Sequence, residues 1–515
     1  MRLRLWLMRG LALVVVGLCL AAVAVAGVIA AMPPEALAAR ALAQAAAALG
    51  RPVHAARAEV ALWPAPLVSL HEVIAARAPG LARPGLLTAR RVDIALAPWP
   101  LLAGMVRIAR IAIVQPRLTV DSELGALSSW HLDPIAGGGP VVTVADGSGM
   151  FRVRIGEGSL AVALDRLDAS WPGRGPVSVE AAGRIGAGTE VSLSGLWRAR
   201  ADGQTFDIAG GSLGGGAMSG TVGLEPGCGR PRIAARLALG ALALDGALRR
   251  LAGIDWGLDL DAADGDALVP LFSDRRLALA GLRAVDLDLS LTAETASLGD
   301  VETQGARVKL SLSDGVLEVT RAEARLGDGQ IALGARLDWI ERRYRLQVDA
   351  RDVPARLLGL GNPLDSLPGN LSLALDLEAN GRSAHEVAAS MTGSLDLRLA
   401  DAWLAGESSA LVTAVFPWTR DRMGLVIEGA EAHAKVVDGM IEAGAGRITT
   451  PEVELALAGM VDLATESLYV DLVPSPRDTE AAGMMVPLII AGPMAQPALL
   501  PNPAPIGAEP DGDEP

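Results

Sequence analysis

Between Gly369 and Leu404 the chain alternates. Leu371, Leu373, Leu375 and Leu377 take every second position around Ser372, Ala374 and Asp376, and Leu395, Leu397 and Leu399 repeat the pattern around Asp396 and Arg398. Period-two alternation predicts strands with one apolar and one polar face. Between these runs Ser383 and Glu386 have capping-box spacing, which predicts a short helix ending before Gly393. The unit is strand, short helix, strand.

The same period recurs along most of the chain. Val92, Ile94 and Leu96 alternate, as do Ile111 with Ile113, Leu118 with Val120, and Val285 with Leu287, Leu289 and Leu291. Asp314-Gly315, between Leu312 and Val316, predicts a tight hairpin because glycine readily takes positive φ. Pro98-Trp99-Pro100 interrupts the strands and leads into a linking turn at Leu101-Leu102, and Ala136–Pro140 reads as a loop. Brief helical or irregular pieces are expected near 247–252, 266–272, 352–360 and 406–416. The strands near 151–244 have blurred ends, since glycine and proline are dense there.

One stretch departs from the period. Arg2, Arg4 and Arg9 precede an uncharged run from Leu11 to Met32, whose bulk comes from Leu11, Leu13, Val14, Val15, Val16, Leu18, Leu20, Val23, Val25, Val28 and Ile29. As a helix it spans roughly 30 Å, enough to cross a hydrocarbon core. A cleavable signal peptide is the competing reading, with Ala24-Val25-Ala26 as a processing site. Signal cores usually run about 7–15 residues, so the length favours an anchor. Arginines ahead of the span place the N-terminus in the cytoplasm and the rest outside. An alanine-rich helix from Pro33 to about Leu49, stopped by Gly50, follows.

Composition changes this picture in two ways. The 515 residues are 51% hydrophobic but only 3% aromatic, so the strand faces are smooth and aliphatic. Each large aliphatic side chain buried is worth about 2 kcal/mol, so these faces cannot be left in water. A closed sandwich or barrel satisfies them, and so does an open trough filled by acyl chains. Net charge is −14, which excludes nucleic acid as a partner because phosphate binding needs clustered cations. Cys19 and Cys228 lie in unrelated settings and predict no disulfide.

Catalytic signals are weak throughout. Gly210-Gly211-Ser212-Leu213-Gly214 matches the nucleophile-elbow pattern, yet glycines follow where a helix must begin. Asp259, Asp261, Asp264 and Asp266 do not keep calcium-loop spacing, and Pro270 sits at the glutamate position. Gly156-Glu157-Gly158 lacks a third glycine and a strand-helix context. His54, His71, His131, His385 and His433 show no metal-ligand pairing. The expectation is a protein that is not an enzyme and holds no metal or cofactor.

Two regions carry a family resemblance. Near the N-terminus these are the apolar span, the alanine-rich helix, LGRPVHAARAEVALWPAPLVSLHEV and RRVDIALAPWPLLAGMVRIARIAIVQPRLTV. In the C-terminal half they are ARVKLSLSDGVLEV, DVPARLLGL, the opening strand-helix-strand unit, AGRITTPEVELALAGMVDLATESLYVDLVP and the closing PLIIAGPMAQPALLP. Together they resemble the AsmA family of inner-membrane-anchored periplasmic proteins.

The resemblance implies a mainly β fold, with an N-terminal transmembrane helix followed by an elongated, curved, mostly antiparallel β-sheet groove and a few short helices. Together with the residue pattern it divides the chain into a cytoplasmic stub and transmembrane anchor (1–32), an N-terminal domain (33–135), a Gly-rich middle (136–283), a C-terminal β domain (284–500) and a tail (501–515) whose acidic, proline-rich composition predicts disorder. It implies a single-pass inner-membrane protein with its bulk in the periplasm, serving phospholipid transport and outer-membrane biogenesis. Its partners are then phospholipid acyl chains and the inner membrane, with outer-membrane assembly proteins as further candidates. The groove lining would comprise Val285, Leu287, Leu289, Leu310, Leu312, Leu371, Leu373, Leu375, Leu395, Leu397, Leu399, Val453, Leu455 and Leu457. The alternative is a structural or chaperone-like factor in outer-membrane protein assembly, with a dry core and no lipid.

Overall fold

The computed structural model describes residues 43, 53–61, 65–75, 86–102, 105–123, 139–155, 158–186, 188–200, 203–226, 230–243, 271–277, 283, 285–298, 301–355, 369–405, 424–477 and 487–502. Among them strands dominate, as the alternation requires. The chain forms two compact units: Met1–Ile155, Ser159–Leu213 and Gly223–Gly229 make one, and Gly156–Gly158, Gly214–Val222 and Arg230–Pro515 the other.

In the first unit β1 (Val53–Ala61), β2 (Leu67–Ala75), β3 (Leu86–Leu96) and β4 (Ile108–Glu123) pair antiparallel in sequence order. The Pro98 interruption is a short helix, α1 (Pro98–Leu102), between β3 and β4. β5 (Val141–Ile155) joins β4 in parallel. Parallel neighbours need a long crossover, and the sequence between these two strands supplies it. β6 (Gly158–Trp171), β7 (Val177–Ile185), β8 (Thr189–Arg200) and β9 (Gly203–Leu213) then form an antiparallel meander. The core of this unit gathers Val68, Leu70, Ile94 and Leu96, with Val60, Val92 and Ile113 packed against them.

β10 (Gly216–Pro226) is divided between the units. In the second unit β11 (Pro231–Ala243) and β12 (Asp286–Leu298) pair in parallel across another long intervening stretch. From β12 the pairing is antiparallel and sequential through β13 (Val301–Ser313), β14 (Val316–Leu326), β15 (Gly329–Asp338), β16 (Arg343–Pro354), β17 (Asn370–Asn380) and β18 (Thr392–Ala405). It continues through β19 (Gly424–Val437), β20 (Met440–Thr449), β21 (Val453–Asp462), β22 (Ser467–Pro476), β23 (Leu488–Pro493) and β24 (Ala498–Pro501). Among the described residues the mostly antiparallel expectation therefore holds, with β4–β5 and β11–β12 pairing in parallel.

Local chemistry explains the joints. Asp314 and Gly315 have φ of 53° and 83°, and Asp438 and Gly439 have 48° and 75°. Both central residues are left-handed, as two-residue hairpins of matched twist demand. Between β17 and β18 lies α2 (Ala384–Ala389); the Ser383 side chain accepts from the Glu386 N–H at 3.1 Å, and Glu386 Oε2 accepts from the Arg382 N–H at 2.7 Å.

The helix expected over 352–360 is corrected at its start. β16 runs on through Pro354, with Asp352 as a bulge of φ 51° and Val353 opposite Leu371. Pairing buries Val353 completely, and the residue before a proline avoids helical geometry. The closing segment forms the two short strands β23 and β24.

Candidate functional site

The second unit's sheet sorts its side chains by face. Backbone register aligns one residue from each strand between β11 and β23 into a single row. These are Leu237, Leu291, Val308, Ala322, Leu333, Val348, Leu375, Leu395, Ala434, Ala443, Gly459, Val470 and Ile490. Every one is apolar or glycine, and every one is half-buried. With strands about 4.8 Å apart, the row follows the sheet for roughly 55–60 Å. Cross-strand neighbours cover part of each side chain, but among the described residues no second layer seals the row.

Burial is complete in patches, mid-strand at Leu239 and Ala293 and toward the strand ends at Leu371 and Val453. At one end Ala355, Leu371, Ala402, Ile427, Val453, Leu455 and Leu472 form a dry cluster. Arg477 closes over it, donating to Glu428 Oε2 and to the Thr450 carbonyl, both at 2.6 Å. At the other end the turns bond to one another: the Gly439 N–H donates to the Met391 carbonyl at 2.8 Å, and the Leu463 N–H to the Gly439 carbonyl at 2.9 Å. Residues 271–277 strap across these turns. The Leu271 and Phe272 N–H groups donate to the Glu466 carboxylate at 2.9 and 2.8 Å, and the Leu277 N–H to the Arg382 carbonyl at 2.9 Å. Between these ends, in β17, β18 and β21, the apolar face is half-buried.

From β14 to β21 the opposite face carries a ladder of exposed ion pairs. Arg336 pairs with Glu318 at 3.3 Å, Arg345 with Asp376 at 2.9 Å and Glu378 at 3.0 Å, Arg398 with Glu431 at 3.2 Å, and Arg447 with Glu454 at 3.1 Å. His433 Nδ1 meets Asp396 in the same ladder. These pairs are exposed and screened by water, so they add little to stability; their consequence is to fix which face is wet. Hydrogen bonds from Arg345 and then Gln347 hold the Asp376 carboxyl below its ordinary value. Hydrogen bonds from Thr465, first from its side chain, do the same for Asp462. Burial pushes the Tyr344 phenol up.

With this geometry in view, comparison with known families adds one match. The AsmA family model aligns with residues 8–129 and 260–407, together more than half of the chain. The chain belongs to the AsmA family. No curated protein and no solved structure matches it. The matched part of this AsmA family member includes β12 through β18, which contribute half-buried residues to the row from Leu291 to Leu395.

The lining residues named from sequence all fall on the apolar face, but in two classes. Leu287, Leu289, Leu310, Leu373, Leu375, Leu395, Leu397, Leu399 and Leu457 are half-buried. Val285, Leu312, Leu371, Val453 and Leu455 are buried at the strand ends and face protein. Missed were Leu237, Leu291, Val308, Leu333, Val348, Val470 and Ile490, which only the register brings into line. Their own strands alternate well enough to have been found, but Ala434, Ala443 and Gly459 hide the row's continuity in the sequence.

Leu11 to Ile29, the predicted anchor, lie outside the described residues, as do Cys19, Cys228, His131, the aspartates at 259–266, the 136–138 part of the loop and residues 503–515. Among the described residues no helix is long and apolar enough to cross a membrane. Ser212 sits within β9, its hydroxyl 2.7 Å from that of Ser192, and Gly214-Gly215 turn the chain into another strand. The helix a nucleophile elbow requires is therefore replaced by a hairpin. No cluster of metal-ligating side chains occurs among the described residues.

Proposed function

We propose that this AsmA family protein is an inner-membrane-anchored, periplasmic carrier of phospholipid, in which the half-open aliphatic row of the second unit shields acyl chains. The observation that carries this reading is the contrast within single strands: Leu371 of β17 and Val453 and Leu455 of β21 are buried, while Leu373, Leu375 and Leu377 of β17 and Leu457 of β21 are half-buried and apolar. A closed sandwich would bury Leu375 and Leu395 as it buries Val453, and they are not so buried. Each methylene kept from water is worth about 0.8 kcal/mol, so a chain of about fifteen methylenes requires on the order of 12 kcal/mol of shielding during transfer. Adjacent leucine rows supply an aliphatic surface for it, while headgroups stay in water.

In this reading the protein supports phospholipid movement between membranes and outer-membrane biogenesis, and it moves lipid by solvation rather than by chemistry. Native mass spectrometry of the full chain released from detergent micelles tests it. Adducts of phospholipid mass are expected on the natural protein and should fall at least tenfold in L375D/L395D. Equal adducts on both proteins would remove the row from the account.

A further inference from the structure

A second site is built into the first unit, and it rests on that unit alone. At one level of β1–β5 the pairing skips residues in each strand. The β1/β2 register passes from Ala55 opposite Val73 to Arg57 opposite His71, omitting Ala56 and Glu72. The β2/β3 and β3/β4 registers omit Arg90 and then Gln115, and the β4/β5 register omits Gln115 with Asp146. Glu72, Gln115 and Asp146 have φ of 51°, 50° and 51°. Left-handed, non-glycine residues lined up in the middle of adjacent strands are strained backbone, which clusters at functional sites.

The irregular row opens a cavity of about 590 Å³, within the size range of ligand pockets. Arg90 and Arg117 line it together with His54, Thr88, Gln115 and Glu72. Arg90 Nη1 donates to Gln115 Oε1 at 3.2 Å, which orients the guanidinium. Neither arginine has a carboxylate partner among the described residues, whereas Arg91, the next residue along, pairs with Asp93 at 3.0 Å. Two guanidiniums against one carboxylate leave a local positive charge on a chain of net charge −14. Val73 and the exposed Ile74 supply an apolar wall.

We infer that this cavity binds a singly charged phosphate group, held by the Arg90 and Arg117 forks, with Glu72 limiting the charge it accepts. A phosphodiester headgroup and free inorganic phosphate share that chemistry. Calorimetry on the full chain in a non-ionic detergent distinguishes them, using monomeric dihexanoylphosphatidylglycerol and sodium phosphate as probes. Tighter binding of the short lipid assigns the site to headgroups, and equal or tighter binding of phosphate assigns it to the free anion. R90Q/R117Q should weaken binding at least tenfold, while R90K/R117K keeps part of it. E72Q should tighten it several-fold, a gain that misfolding cannot mimic. If neither probe binds, or if both R90Q/R117Q and E72Q bind as the natural chain does, the assignment is wrong. In the L375D/L395D background, which removes the aliphatic row as a second binder of the short lipid, binding at this cavity should persist and still depend on Arg90 and Arg117, so failure here and failure of the acyl-chain reading are separable.

Discussion

Leu375 and Asp376 are neighbours in sequence and face opposite surroundings, one toward its leucine partners and the other toward Arg345. The carboxylates on the wet side carry a pH dependence whose sign follows from their partners. Asp168, held first by the Asp146 N–H, and Asp376 and Asp462 all titrate below their ordinary value in the folded chain. On acidification the unfolded chain therefore takes up protons first, from about pH 4 downward. The stability they provide is fully present above that range and is lost as pH falls through the depressed folded values. Thermal unfolding should hold level from pH 8 to 5 and decline below about 4, with a shallower decline in D376N/D462N; an unchanged acid slope in that variant would count against these partners. Backbone demands are equally local. Gly393 has φ 153°, and an added Cβ would lie 2.0 Å from the Asp376 carbonyl. G393A should cost more than about 1 kcal/mol, seen as faster amide exchange in β17 and β18 than in the natural chain.

Single elements show what sequence could and could not convey. Strand after strand was legible from its leucines, the Asp-Gly turns from their dipeptides and α2 from Ser383 and Glu386, because each is specified by residues close in the chain. S383A removes the acceptor for the Glu386 N–H and should destabilise α2 by about 1 kcal/mol, measured by exchange at residues 384–390. The bulges at Glu72, Gln115, Asp352 and Asp401 were not legible, since glutamate, glutamine and aspartate at positive φ follow from neighbouring strands rather than from local preference. Nor was the strap at residues 271–277, which depends on Glu466, almost two hundred residues later in the chain. E466A takes away both carboxylate bonds at once. Exchange at the Leu271 and Phe272 amides should then rise at least tenfold while α2 stays protected; unchanged exchange would show that the strap is held by other contacts.

Across the whole molecule, alternation told which side of each strand is apolar but not what lies against it. A sandwich and an open trough share that signal, and only the half-buried state of the row from Leu237 to Ile490 separates them. The same limit divided the named lining into an open middle and buried ends: Leu371 and Leu373 look alike in sequence, yet only Leu371 is sealed by its cluster. The central claim is that the open row meets acyl chains while the face one residue away meets water. Site-specific photocrosslinking in intact cells, with benzoylphenylalanine placed at Leu375 or at Asp376 of the full chain, tests it most directly. The account predicts phospholipid adducts from position 375 and none from 376; equal labelling at both, or labelling at neither, would contradict it.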